Sequence, residues 1–228
     1  MTEQDYIKEQ IELSKKIHQD NTVDLMQVQL VAGVDLAYWQ EKNGQEYAVC
    51  CIVVIDYHTF KVIEKVSYAD KIKVPYIPGC LAFREVPLFL ITYKKVTSIP
   101  DVMFFDGNGY LHPRHMGLAT HAGILINKAT VGIAKSYYKI ADTDFIMPEN
   151  IEKAYTDIKI NGERYGRVLR THKNVKPVFL SVGNAIDIET ATQMANKLTT
   201  RDSHVPLPTR LADLMTHEMR IEYQQKYK

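Results

Sequence analysis

V-Q-L-V-A-G-V-D-L-A-Y-W, Val28 to Trp39, is the first of three consecutive runs rich in Val, Ile and Tyr, followed by Tyr47 to Tyr57 and Phe60 to Ala69. Between them lie E-K-N-G-Q-E and D-Y-H-T, which read as hairpin turns. Three strands with tight connections predict an antiparallel meander. Downstream the pattern changes to alternation. Cys80 to Tyr93 reads as helix despite Pro87, Asp101 to Phe105 as strand, and His115 to Ile126 as helix. Thr130 to Ala134 and Val178 to Val182 read as strands, Asp187 to Leu198 and Thr209 to Gln225 as helices. Upstream, Thr2 to Asp20 predicts a helix capped by Thr2, with Ile7, Ile11 and Ile17 approximating one face. The tyrosine-rich stretch from Ile140 to His172 suggests another hairpin without a place in the sheet. A meander followed by alternation predicts an α/β fold, a mixed sheet with helices on its faces.

With 228 residues and no shift in composition, a single domain spanning 1–228 is expected. The net charge is +1, so a polyanion would have to be bound by a local patch rather than by an overall field. Cys50, Cys51 and Cys80 lack C-x-x-C spacing, and the first two sit in an apolar run. Free buried thiols in a reducing compartment are the expectation, rather than a disulfide or zinc framework. The polar N-terminus and the absence of any run of about 18 apolar residues argue against a signal peptide and a membrane span. A cytoplasmic protein is expected.

Three acids stand out against this frame. Asp35 interrupts an apolar strand, Asp106 ends another before G-N-G, and Glu85 lies in the helix between them. Burying even a polar group without compensation costs roughly 2–7 kcal/mol, so two strand aspartates suggest a shared compensator. A hard divalent cation bound through oxygen is the simplest one. Adjacent strands would let Asp35 and Asp106 meet, with Glu85 delivered from the helix above. Carboxylates held that close repel unless one is protonated or a cation intervenes. Glycines after Asp106 let backbone approach a ligand, with His112 and Arg114 in reach, and Lys135 ends a strand where phosphate would need a cation.

The ordered blocks resemble the endonuclease V family, deoxyinosine 3′-endonucleases. They are V-A-G-V-D-L around Asp35, P-Y-I-P-G-C-L-A-F-R-E from Pro75 to Glu85, and F-F-D-G-N-G-Y-L-H-P-R from Phe104 to Arg114. G-L-A-T-H-A-G, T-V-G-I-A-K, S-V-G-N and L-P-T-R-L-A-D follow, ending at Asp213. P-Y-I-P-G joined to F-R-E is the most specific. The resemblance implies a ribonuclease-H-like fold, with magnesium (or manganese) at Asp35 and Asp106, Glu85 completing the acidic set and Lys135 nearby. It implies that Tyr76 acts as a wedge beside the lesion, and that Ile77, Pro78, Gly79, Cys80, Leu81, Gly107 and Arg114 contact it. The activity implied is cleavage of DNA at the second phosphodiester bond 3′ to a deaminated base, chiefly hypoxanthine, initiating repair. A monomer is expected.

Bland alternatives stand beside these. His112 has either a catalytic role or only a bond to the backbone of its own turn. Lys135 could be a solvated strand end, and Asp213 could support the metal site from outside or only pair with Arg210. Asn108 and Asn184 stand where the family often carries histidine. Inosine-containing RNA is a second candidate substrate, since the 2′-hydroxyl decides between the two. A deaminated-base binder without catalysis is the rival from another class; three acids beside a phosphate argue against it.

Overall fold

A computed structural model describes residues 2–226. Its elements run α1 (Glu3–Ser14), β1 (Leu30–Gln40), β2 (Glu46–Asp56), β3 (Val62–Lys71), α2 (Leu81–Tyr93), β4 (Val102–Asp106) and α3 (Leu118–Ile126). Then follow β5 (Ala129–Ala134), β6 (Tyr155–Ile160), β7 (Glu163–Leu169), β8 (Val178–Asn184), α4 (Ile188–Leu198) and α5 (Leu207–Lys226). All strands join one eight-stranded sheet in the order β3-β2-β1-β4-β5-β8-β7-β6. The meander is antiparallel, β4 and β5 lie parallel to β1, and β8, β7 and β6 continue antiparallel. The tyrosine-rich stretch does hold a hairpin, β6–β7, and it extends the sheet beyond β8.

Alternation along β1 and β4 sorts side chains onto two faces. Val31 and Phe104 belong to the core shared with α4 and α5, whereas Ala32, Val34, Met103 and Phe105 pack under α2 and α3. From Tyr47 to Ile55, β2 is buried without a break because both faces are covered. Cys50, Cys51 and Cys80 are free and buried.

Two helices are shorter than their sequence suggests. Thr2 caps α1 with a reciprocal capping box, but the helix ends at Ser14. Beyond it the backbone spends its hydrogen bonds elsewhere: His18 N donates to Asn184 Oδ1 at 2.8 Å, and Ala185 N to His18 O at 2.7 Å. Tyr6 and Gln10 form the buried face of α1, whereas Ile11 is exposed. The expected isoleucine stripe is therefore not the docking face. Likewise α3 starts at Leu118, because His115 adopts φ +57°, outside the helical region. Among the described residues no helix is long and apolar enough to cross a membrane.

Candidate active site

Gly33 decides where α5 sits. A Cβ there would lie 1.9 Å from the Pro208 carbonyl oxygen, so only glycine lets the start of α5 rest directly on β1. That approach sets Asp213 and Thr216, three apart on one helix face, over Asp35. Thr216 Oγ1 lies 3.1 Å from Asp35 Oδ2 and 2.7 Å from the Asp213 carbonyl. The parallel register pairs Val34 with Phe105, which brings the next residues, Asp35 and Asp106, side by side. Carboxylate oxygens of Asp35, Asp106 and Asp213 all lie within 4.8 Å of one another. Burial, then the neighbouring charges of Asp106 and Asp213, push the Asp35 carboxyl up to about 7.

Glu85 was expected inside this cluster and stands outside it. It is carried by α2, on the opposite face of the sheet from Asp213, because α2 packs over Ala32, Val34 and Phe105. It remains close enough to the aspartates to feel them. Burial first, and then Asp35 and Asp106, raise its carboxyl to about 7, against a hydrogen bond from Tyr38 that favours ionisation. Tyr38 Oη donates to Glu85 Oε1 at 2.6 Å, and the Arg84 guanidinium lies over the Tyr38 ring at 4.7 Å. Conversely Asp213, expected as an outer support or a partner of Arg210, is the third member of the cluster.

Lys135 follows the end of β5 and is exposed, but it is not left to solvent alone. Its Nζ donates to Asp106 Oδ2 at 2.6 Å and to Asp213 Oδ1 at 3.3 Å. Burial works against its charge, but these two carboxylates outweigh that and hold its pKa above the usual value. A single ammonium cannot neutralise three converging carboxylates. The donor set is all hard oxygen, which fits a divalent cation of the magnesium or manganese kind.

The loop carrying Tyr76 is held from below. Gly79 takes φ +75°, and its carbonyl accepts from Gln10 Nε2 (2.9 Å), Arg114 Nη2 (2.8 Å) and the His112 ring (3.0 Å). Arg114 Nε also donates to Gln10 Oε1 at 2.6 Å. On His112, Nδ1 accepts from the backbone N–H groups of Arg114 (3.2 Å) and Met116 (3.3 Å). Nε2 must therefore carry the proton it gives to Gly79. Burial, helped by Arg114, pushes this imidazole down to about 4. Both ring nitrogens are engaged, so the geometry gives His112 a task in holding its own turn and the Tyr76 loop. Tyr76 itself is 65 % exposed. Together with Gly79, Leu81, Asn108, His112 and Tyr138 it borders a recess of about 100 Å³. That is well below the several hundred Å³ of a typical ligand pocket, a scale suited to one base rather than a nucleotide. Asn108 Oδ1 is buried there without a partner. Asn184 has a plain structural task, with Oδ1 on His18 N and Nδ2 on the Lys128 carbonyl at 3.2 Å.

Sequence reasoning missed Gln10, Tyr38 and Thr216. The i, i+4 spacing of Tyr6 and Gln10 and the i, i+3 spacing of Asp213 and Thr216 were available signals. Nothing local marked Tyr38.

Comparison with known proteins agrees with this geometry. The chain is 57 % identical to Endonuclease V of Bacillus thuringiensis over 217 residues, covering 95 % of this chain and 92 % of the relative. The crystal structure of the Bacillus subtilis Endonuclease V superposes with a TM-score of 0.95 at 50 % identity, covering 99 % and 95 % of the two chains. Endonuclease V of Ciona intestinalis, solved with a 24mer DNA containing an inosine followed by a ribo-adenosine, gives 0.84 at 28 % identity, covering 96 % and 98 %. The mixed sheet is thus of the ribonuclease-H-like kind, as the resemblance implied. Residues 11–214 match the Endonuclease V family, and with the acids, the basic residue and the glycine-anchored loop in place the chain belongs to that family of DNA endonucleases.

Proposed function

We propose that this protein cuts DNA at the second phosphodiester bond 3′ to a deaminated base, chiefly hypoxanthine, with magnesium as its metal. The observation that carries this reading is the convergence of Asp35, Asp106 and Asp213 within 4.8 Å beside Lys135, in a chain of this family. The inosine in the Ciona complex supports the lesion assignment for a relative of the same fold.

Asp35, Asp106 and Asp213 would hold the cation. When bound, it makes a water nucleophilic and offsets charge on the phosphodiester. Thr216 keeps Asp35 turned towards the cluster. Lys135, tethered by Asp106 and Asp213, brings a positive charge to the phosphate group. Glu85 completes the acid set from the α2 side, fixed in one orientation by Tyr38. The exposed Tyr76 ring is free to fill the gap left when the damaged base leaves the stack, an exchange in which aromatic stacking contributes about 1–3 kcal/mol. Gly79 and Leu81 line the recess, and on this reading Ile77, Pro78, Cys80, Gly107 and Arg114 would contact the lesion around it. The three donors on the Gly79 carbonyl hold that backbone before substrate arrives.

A labelled duplex with one deoxyinosine tests the reading. Nicking should require a divalent ion and fall at the second linkage on the 3′ side. Matched strands with inosine in ribose, at one salt concentration, place the RNA preference on the same scale. Equal nicking of undamaged duplex would overturn the lesion assignment.

A further inference from the structure

On the α5 side of the acids, a cleft of about 340 Å³ opens between the loop after β7 and the turn before α5. Its wall carries Lys135, Arg201, Arg210 and His204, with Asp202 and Asp213 as the acids. Lys135 already engages Asp213, and among the described residues neither Arg201 nor Arg210 has an ion-pair partner. The walls are built rather than loose. The His172 ring bonds to the Thr200 carbonyl at 2.8 Å, Thr171 Oγ1 to the His204 carbonyl at 2.8 Å, and Val205 N to Ser203 Oγ at 3.1 Å. Burial and the positive charges of Lys135 and Arg210 depress the His204 imidazole, as expected where cations outnumber acids.

Position gives this cleft a direction. The recess under Tyr76 is framed by Leu81 and Ala82 of α2 and by Leu118 of α3, on one face of the sheet. The basic cleft is framed by Val205 and the first turns of α5, on the other face. Asp106, at the C-terminal end of β4, stands between them. A strand with its damaged base in the recess and a phosphate at Asp106 must continue across the sheet edge towards Arg201 and Arg210. Cutting on the 3′ side of the lesion makes that continuation the 3′ side. Guanidinium forks suit phosphate oxygens, and such contacts fix register without reading sequence.

We infer that Arg201 and Arg210 bind the backbone phosphates immediately 3′ of the bond cut, and so set which linkage reaches the acids. This inference rests on the lesion-to-cut polarity proposed above. The test measures affinity by fluorescence anisotropy for deoxyinosine duplexes carrying one neutral methylphosphonate linkage at successive positions, with calcium in place of magnesium. Neutral linkages in the first two or three positions 3′ of the cut should weaken wild-type binding several-fold and leave the Arg201→Gln/Arg210→Gln protein indifferent. For that variant the slope of log affinity against log salt should fall by about 1 per arginine. Wild-type protein insensitive to every 3′ linkage would overturn the cleft assignment while cutting at deoxyinosine continued. Sensitivity confined to the 5′ side would overturn it too. Absence of cutting at deoxyinosine would instead overturn the proposed function.

Discussion

Two polar clusters lie on opposite faces of the sheet, and they are built on opposite principles. Around the Gly79 carbonyl, Gln10, His112 and Arg114 give donors to one acceptor and to each other, and no full charge faces another of its own sign except weakly. Around Asp35 three carboxylates meet with one ammonium and one hydroxyl. The first cluster is satisfied by the chain alone and stiffens the loop that carries Tyr76. The second is not satisfied by the chain and costs stability until something else arrives. A satisfied polar network rigidifies, and an unsatisfied one marks the place of a ligand.

Asp106→Ala should break the second cluster most visibly. It removes one of the three clustered acids, a ligand in the proposed metal site, and the closest partner of Lys135, so nicking should fall by about 10³-fold or more, the equivalent of several kcal/mol of metal-derived stabilisation. Millimolar magnesium should raise the melting temperature of wild-type protein, since a ligand that binds only the folded state stabilises it, and that rise should vanish in the variant. Nicking within ten-fold of wild type would remove Asp106 from the chemistry. Asp35→Asn sharpens the contrast: without metal it should melt above wild type, because it deletes a carboxylate whose ionisation the fold opposes.

Gly33→Ala attacks the same cluster without touching an acid. The added methyl would lie 1.9 Å from the Pro208 oxygen, so α5 must move and carry Asp213 and Thr216 with it. Overpacking of this kind costs about 1–3 kcal/mol. Displacement near 1 Å at reacting groups costs about 10²-fold in rate. Urea melts and single-turnover nicking measure the two effects separately. A variant that loses stability but not rate would show that α5 position is unimportant to the site.

Gln10→Leu tests the satisfied cluster. It strips one donor from Gly79 and the acceptor from Arg114 Nε, leaving a half-buried guanidinium group short of a partner; the expected loss is about 1–3 kcal/mol. The magnesium-induced rise in melting temperature should survive, because the acid cluster is on the other face. If that rise disappears as well, the two clusters are one cooperative unit and the contrast between them fails.

How much of this was legible beforehand follows the range of each interaction. The meander, the helix over Leu81 to Tyr93 and the strands of Asp35 and Asp106 were readable because period and turn chemistry are local. So was the meeting of the two aspartates, since short connections leave few ways to arrange neighbouring strands. Glu85 comes to them from across the sheet: strand parity decides which face a residue sees, and α2 covers the face that Asp35 and Asp106 turn away from, so Glu85 lies outside the tight group yet within reach of both charges. Asp213 was legible as a motif letter but not as a cluster member, because its position depends on Gly33, 180 residues earlier, admitting α5 to β1. Gln10 was hidden by an isoleucine pattern in which Ile11 is exposed and Ile7 and Ile17 are only half-buried. Long-range choices of this kind are settled by packing, not by pattern.

The smallest expected effect concerns protons. His121, on α3, is buried with Nδ1 unpartnered and its ring edge-on to Phe83 at 5.0 Å between centroids. Burial alone pushes its imidazole down to about 4. An unfolded chain titrates near 6.5, so between those values the unfolded state holds more protons, and stability falls as pH drops through 6.5 towards 4. For one such histidine the loss between pH 7.5 and 5.5 is about 1 kcal/mol. His121→Phe removes that proton site while keeping a ring against Phe83. Subtracting its urea-melt stabilities from those of wild type, both without metal, isolates this group from His112 and the acids. The difference should tilt by about 1 kcal/mol over that interval, with wild type losing more on acidification. A flat difference would mean that His121 finds a partner for its proton in the folded state, and that the satisfied side of the molecule extends further along α3 than its hydrogen bonds indicate.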